Sequence, residues 1–256
     1  MLDENKLKKF AAQIIQAYKR QSILGQIANV IDFSAAYERK DFFQIAEAVS
    51  LPKEFFYSED DVDNSFLAGD FARSIVFGEQ NFILSQLLQK ANRSEIQSHN
   101  IEKFSYLALI DIIRKAYVTP TDIFIPIDLS YWNEVHDWLY KGRAKYEDDH
   151  QLYILVGNDK IRVHWSTKAI PFNDIFFIDR NGLRIVQKKF EDMIEPTWLG
   201  NILFKYGQKE PLRLDFAQSE DQDKFRFYFR SVIAIDSVDK NTVGFIKLPE
   251  SNTPTF

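Results

Sequence analysis

The chain has no cysteine among its 256 residues. That absence excludes a disulfide framework, thiol catalysis and thiolate metal sites together. Glycine (nine) and proline (eight) are sparse, and no Ser/Gly-rich or Pro-rich stretch divides the sequence. Domains swinging on a flexible tether are therefore not expected. No run of eighteen or more apolar residues occurs, and the opening MLDENKLKKF lacks an apolar signal core. The sequence reads as neither membrane-spanning nor exported by a signal peptide. With a net charge of −5, it is not a nucleic-acid binder of the generally basic type. Also missing are HExxH, a G-x-S-x-G elbow, a Walker-type loop and G-x-G-x-x-G.

The four histidines, His99, His136, His150 and His164, are scattered with no i,i+4 pair. His150 beside Asp148 and Asp149 reads either as a cation site or as part of a solvated polar loop. Tyr131, Trp132 and Trp138 either line a ligand pocket or form a helix core. Asn92-Arg93-Ser94 fits a glycosylation triplet, which without a secretory route is chance. No catalytic residue, cofactor site or metal site is expected.

What the sequence has in abundance is phenylalanine, with 23 residues. A single core of this size rarely needs so many, so some are expected on surfaces that another chain covers. Residues 224–248, KFRFYFRSVIAIDSVDKNTVGFIKL, show the strongest pattern. Phe225, Phe227, Phe229, Ile233 and Ile235 alternate with Arg226, Tyr228, Arg230, Val232 and Ala234. That period of two predicts a long strand with its Phe/Ile face on a core. A polar break over 236–241 precedes a second apolar run from 243 to 248.

At the other end, Leu7, Phe10, Ala11, Ile14, Ile15 and Tyr18 recur at helical spacing and predict an amphipathic helix over 4–20. Its Lys6, Lys8 and Lys9 form either a solvated face or a basic arm turned toward packaged polyanion. Residues 21–58 are irregular. Phe42-Phe43 and Phe55-Phe56 stand on either side of Pro52, which predicts a projecting hairpin or ordinary edge structure.

Residues 58–61 (SEDD) read as a helix start, and Phe66, Leu67, Phe71, Ile75, Phe77, Phe82, Leu84 and Leu88 carry that helix to about Lys90. Gly69 and Gly78 inside it predict a bend or close packing near Gly78. A second helix is expected over 101–117, ended by Pro120. A buried strand follows over 123–127, then a third helix capped by Asp128 or Ser130, with Tyr131, Val135, Trp138 and Leu139 inward. Residues 141–150 read as a charged loop. Hairpins are expected for 152–156 with 161–165 and for 175–178 with 183–186, turning at Gly157-Asn158-Asp159 and Asn181-Gly182. Residues 210–223 read as an acidic surface loop.

Taken in order, these elements resemble the major capsid proteins of tailed bacteriophages, a fold shared with encapsulin shells. The resemblance rests on "FARSIVFGEQNFILSQLL" as a long spine helix, then "TPTD" and "IFIP" leading into a short aromatic helix. It is completed by hairpins split by Pro171 and the closing Arg/aromatic strand with "GFIKL". It covers about residues 60–248 as an order of elements, with no single diagnostic residue. It implies an α+β subunit with an N-terminal arm (1–35) and an E-loop (36–62). A P-domain would take 63–98 and 208–240, and an A-domain 99–207 and 241–256. It further implies a non-enzymatic shell protein that assembles with itself around viral or prophage DNA, located in the virion after assembly in host cytoplasm. An encapsulin shell around a cargo enzyme, in the cytoplasm, is the second reading. A soluble α+β ligand-binding protein or enzyme is the third. On the family's plan, Phe42, Phe43, Phe55 and Phe56 are inter-subunit contacts, and Lys6, Lys8 and Lys9 face the lumen. No cofactor and no membrane partner are implied.

Overall fold

The computed structural model describes residues 4–33, 42–52, 65–116, 120–147, 151–166, 174–188, 202–206, 212–218 and 224–247. The chain forms two compact units. The first comprises Met1–Ile23, Ile31–Glu79 and Val186–Ala234; the second comprises Leu24–Val30, Gln80–Ile185 and Ile235–Phe256.

The first unit is built on β12 (Lys224–Val238), the long alternating strand. It is central in a six-stranded sheet of order β1 (Asn29–Phe33), β9 (Leu183–Lys188), β12, β11 (Arg213–Gln218) and β10 (Ile202–Tyr206), with β2 (Phe43–Pro52) also paired to β12. Strand β11 runs antiparallel to it from Arg213↔Arg230 to Gln218↔Phe225, and β2 from Lys224↔Pro52 to Ile233↔Phe43. The expected inner face is observed: Phe227, Phe229 and Ile233 are buried, with Ser231 among them. The side chain of Phe225 lies outside the described residues. Each buried Phe contributes roughly 1.5–3 kcal/mol through the area it removes from water.

Helix α1 (Glu4–Gln21) seals this face with Phe10, Ile14, Ile15 and Tyr18. The ring of Phe10 stands edge-on to Phe71 and Phe227, at 6.0 and 5.6 Å between centroids. A four-residue helix α2 (Leu24–Ile27) follows. Phe71 belongs to α3 (Ser65–Asn92), the expected long helix. Its buried stripe is not the one the aromatics announced. Ala68, Phe71, Ala72, Ile75, Val76, Glu79, Gln80, Ile83, Leu84, Leu87 and Ala91 face inward, while Phe66 and Phe77 are exposed. Steps of three and four from Ile75 and Val76 land on Glu79 and Gln80, so helical geometry carries a polar pair into the interior. The packing expected near Gly78 is present. A Cβ there would stand 2.6 Å from Cγ2 of Ile45 on β2.

Three strands of this sheet were not expected. Residues 213–218 form β11, where the acidic composition had read as a loop, 202–206 form β10, and 29–33 form β1 within the stretch read as irregular. Strand β2 is regular over ten residues, where the sequence left a projecting hairpin or ordinary edge structure open, because β12 offers it an unbroken ladder.

The second unit is a seven-stranded mixed sheet of order β3 (Gln97–Asn100), β13 (Val243–Lys247), β8 (Ile175–Ile178), β4 (Asp122–Pro126), β7 (Asp159–Ser166), β6 (Leu152–Val156) and β5 (Ala144–Tyr146). Strand β4 is wholly buried, parallel to β7 and antiparallel to β8. The core also takes residues from helices α4 (Tyr106–Lys115) and α5 (Leu129–Tyr140), including Leu109, Ile112, Ile113, Val135 and Trp138. Helix α4 is shorter than the expected 101–117, because Ser105 caps it by accepting from Ala108 N–H at 3.3 Å. Asp128 caps α5 as expected, accepting from Ser130 N–H at 2.9 Å.

The β6–β7 hairpin turns at Gly157-Asn158, with φ of +63° at Gly157, the placement of a type II′ turn. The second expected hairpin is absent. Strand β8 has both edges taken by β4 and β13, so after the 3-10 turn Arg180–Gly182 the chain cannot fold back and enters the other sheet as β9. Gly182 permits this exit, since a Cβ there would lie 1.5 Å from Thr242 Oγ1. The expected loop over 141–150 contains β5. His150, with Asp148 and Asp149, lies outside the described residues.

Candidate functional site

The described residues hold three buried polar centres and several exposed apolar rings. On β4 and β7, His164 Nε2 is 2.7 Å from Asp122 Oδ1, and Thr121 Oγ1 donates to Asp122 Oδ2 at 2.6 Å. Arg162 Nη1 lies 3.7 Å from the same carboxylate, and the imidazole stacks on Phe124 at 4.9 Å. The imidazole and carboxylate are nearly inaccessible to solvent. Their groups satisfy one another across parallel strands, as a structural strut does.

The second centre is Asp215 on β11. Its Oδ1 accepts from Arg213 Nε at 3.0 Å and its Oδ2 from Arg230 Nη2 of β12 at 2.5 Å. One carboxylate thus serves two guanidiniums brought together by the Arg213↔Arg230 register. The third is Glu79 on α3, 1% exposed. Its Oε1 accepts from Tyr18 Oη at 2.6 Å and from Ser231 Oγ of β12, while Gln187 Nε2 of β9 donates to Tyr18 Oη at 2.8 Å. Burial is the main cause that pushes the Glu79 carboxyl up to about 7, against the pull of its two hydrogen bonds. Sequence inspection missed this residue; its one signal was its position three and four residues beyond the apolar pair Ile75 and Val76.

Among the described residues no group of three His, Cys, Asp or Glu is placed to hold a metal ion, and no helix is long and apolar enough to cross a membrane.

The aromatic trio divides. Trp138 is in the core, where Nε1 donates to Glu134 at 2.9 Å, and Tyr131 stands edge-on to Phe104 at 5.1 Å. Trp132 points the other way and is 43% exposed, 5.3 Å from Trp165. On the first unit, Phe42 is half-buried and Phe43 is 46% exposed at the start of β2, where it shares a strand face with buried Ile45 and Leu51. Phe66 and Phe77 of α3 are exposed at 78% and 38%. Phe55 and Phe56 lie outside the described residues. Lys6 is half-buried and Lys9 exposed; the side chain of Lys8 is outside the described set.

No family model and no curated protein matches the chain by sequence. Solved structures do match by shape. A virus-like particle from Pyrococcus furiosus aligns with TM-score 0.54 at 10% identity, covering 94% of this chain and 98% of that one. The holo-SrpI encapsulin complex from Synechococcus elongatus aligns with TM-score 0.55 at 8% identity, over 90% and 89%. The capsid of cyanophage P-SCSP1u aligns with TM-score 0.51 at 9% identity, over 88% and 87%. The chain therefore has the α+β fold that tailed-phage capsid proteins and encapsulins share, as the order of its elements implied.

Proposed function

We propose that the chain is a shell protein, many copies of which close into an icosahedral head around viral or prophage DNA. The observation that carries this reading is a fold held in common, over nearly the whole of both chains, with three proteins whose structures are particles or their shells. The exposed rings of Phe66 and Phe77 on α3 add to it. A closed assembly repeats each contact in every copy, so modest apolar patches suffice to hold it.

On this reading residues 1–35 are the N-terminal arm and 36–62 the E-loop, with Phe42, Phe43, Phe55 and Phe56 on a neighbouring copy. Residues 63–98 and 208–240 form the P-domain, and 99–207 and 241–256 the A-domain. Lys6, Lys8 and Lys9 face the lumen, and the assembled protein resides in the virion. The likeness to an encapsulin complex supports a second reading, a cytoplasmic shell around a cargo protein.

Size-exclusion chromatography with negative-stain microscopy tests both. Closed particles are expected, with DNA inside for the first reading and a co-purifying protein for the second. Protease added to such particles should leave residues 1–20 uncut. A monomer or dimer at all concentrations defeats the shell reading. Replacing Phe42 and Phe43 together by Ala should leave circular dichroism unchanged and abolish particles. Normal assembly of that variant would remove these residues from the contact.

A further inference from the structure

Two stretches of the first unit meet the Glu79 carboxyl directly, and two more close over its neighbours Tyr18 and Gly78. Tyr18 reaches it from α1 and Ser231 from β12, while Gln187 of β9 holds the Tyr18 hydroxyl. The residue just before it, Gly78, is closed over by Ile45 of β2. All hydrogen bonds fall on Oε1. Oε2 is buried with no partner. Tyr18 is the only titratable group among these partners, since β9 and β12 present a neutral amide and a hydroxyl and β2 an alkyl chain. The nearby strands' charges, Arg213, Asp215 and Arg230, are engaged with one another. Among the described residues Glu79 has no cation as partner.

A carboxylate in this setting has lost its water and gained no countercharge, and one of its oxygens has no donor at all. A carboxylic acid fits better, because a proton on Oε1 can be given to Ser231 Oγ while Tyr18 still donates. The Tyr18 phenol is itself raised well above its ordinary range, chiefly by burial and then by the Glu79 charge, so it keeps its proton and goes on donating to Glu79. We propose that Glu79 is a proton-operated latch: as the neutral acid it fastens α1 to α3 and the sheet, and on losing its proton it loosens α1.

The sign follows from the direction of the shift. The folded carboxyl holds its proton up to about 7, whereas the unfolded one releases it near 4.5. The folded state therefore binds more protons between those values, and the stability this confers is lost as pH rises through about 7. His99 acts in the opposite sense. Burial and Lys115 lower its value, so its contribution fades as pH falls. The latch lies inside one subunit and does not depend on the shell reading.

Amide hydrogen exchange of α1, corrected for the intrinsic pH dependence, is the test. Between pH 6 and 8.5 the protection of α1 should fall about tenfold by proton linkage, and in Glu79→Gln it should stay level. Tyr18→Phe should keep the fall, because the carboxyl remains buried. A wild-type protein with level protection, or a Glu79→Gln variant with the same fall, overturns the proposal. Should Glu79→Gln fail to fold, carbon-13 NMR titration of the wild-type carboxyl decides. A midpoint near neutrality supports the latch, and one in the ordinary carboxylate range refutes it.

Discussion

Replacing Gly78 by Ala sets two opposed effects against each other. In a helix interior Ala is better than Gly by roughly 1 kcal/mol. At this position, however, the new methyl would meet Ile45 Cγ2 at 2.6 Å, about 1 Å inside the usual carbon–carbon separation. Ile45 is 6% exposed and β-branched, with little freedom to turn away. Overpacking of this kind costs about 1–3 kcal/mol. The net expectation is a loss of up to about 2 kcal/mol. The cause is isolated by repeating the change in an Ile45→Ala background, where the obstructing atom is gone. There Gly78→Ala should stabilise by about 1 kcal/mol, so its sign reverses. Urea unfolding of the parent, both single variants and the double variant supplies the cycle, with a coupling of about 1–3 kcal/mol expected. A Gly78→Ala variant that is as stabilising in the parent as in the Ile45→Ala background would show that α3 and β2 do not close on each other here.

Phe227 is buried, edge-on to Phe10 and stacked on Phe229 at 6.4 Å. Phe227→Ala should cost roughly 3–5 kcal/mol, and an unchanged thermal melt would mean that the β12 register is wrong. Asp215→Asn keeps the shape but leaves two largely buried guanidiniums without their countercharge. A loss of about 3–5 kcal/mol is expected, and a loss within experimental error would show that Arg213 and Arg230 reach solvent.

Where one periodicity governed a stretch, the sequence was readable. Strict alternation in β12, three-and-four spacing in α1 and the Asp128 cap of α5 each correspond to an element that local physics alone specifies. The misreadings came where a residue's partner is remote in sequence. Asp215 looked like solvent-seeking charge, because nothing local announces that Arg230, fifteen residues on, will stand beside it. Residues 183–186 looked like the return arm of a hairpin, because the occupied edges of β8 are set by β4, 52 to 56 residues earlier, and by β13, 65 to 71 residues later. Phe66 and Phe77 looked like core by residue type, yet the helix turns Ala68 and Ala72 inward and them outward. For the candidate site, Phe42 and Phe43 are expected as inter-subunit contacts from the aromatic pairs flanking Pro52, whereas Glu79 emerged only when Tyr18, Gln187 and Ser231 were seen to meet.

The chain passes between its two units five times, after residues 23, 30, 79, 185 and 234. Strand β12, to which β2, β9 and β11 all pair, begins only at Lys224. On the ribosome, then, β2 waits for some 170 residues of further synthesis before its partner exists. Neither unit is a separable vectorial folding step, and the six-stranded sheet closes late and at once. A nascent chain is thereby kept from presenting a finished first unit to its neighbours on the same message until β12 itself has been made.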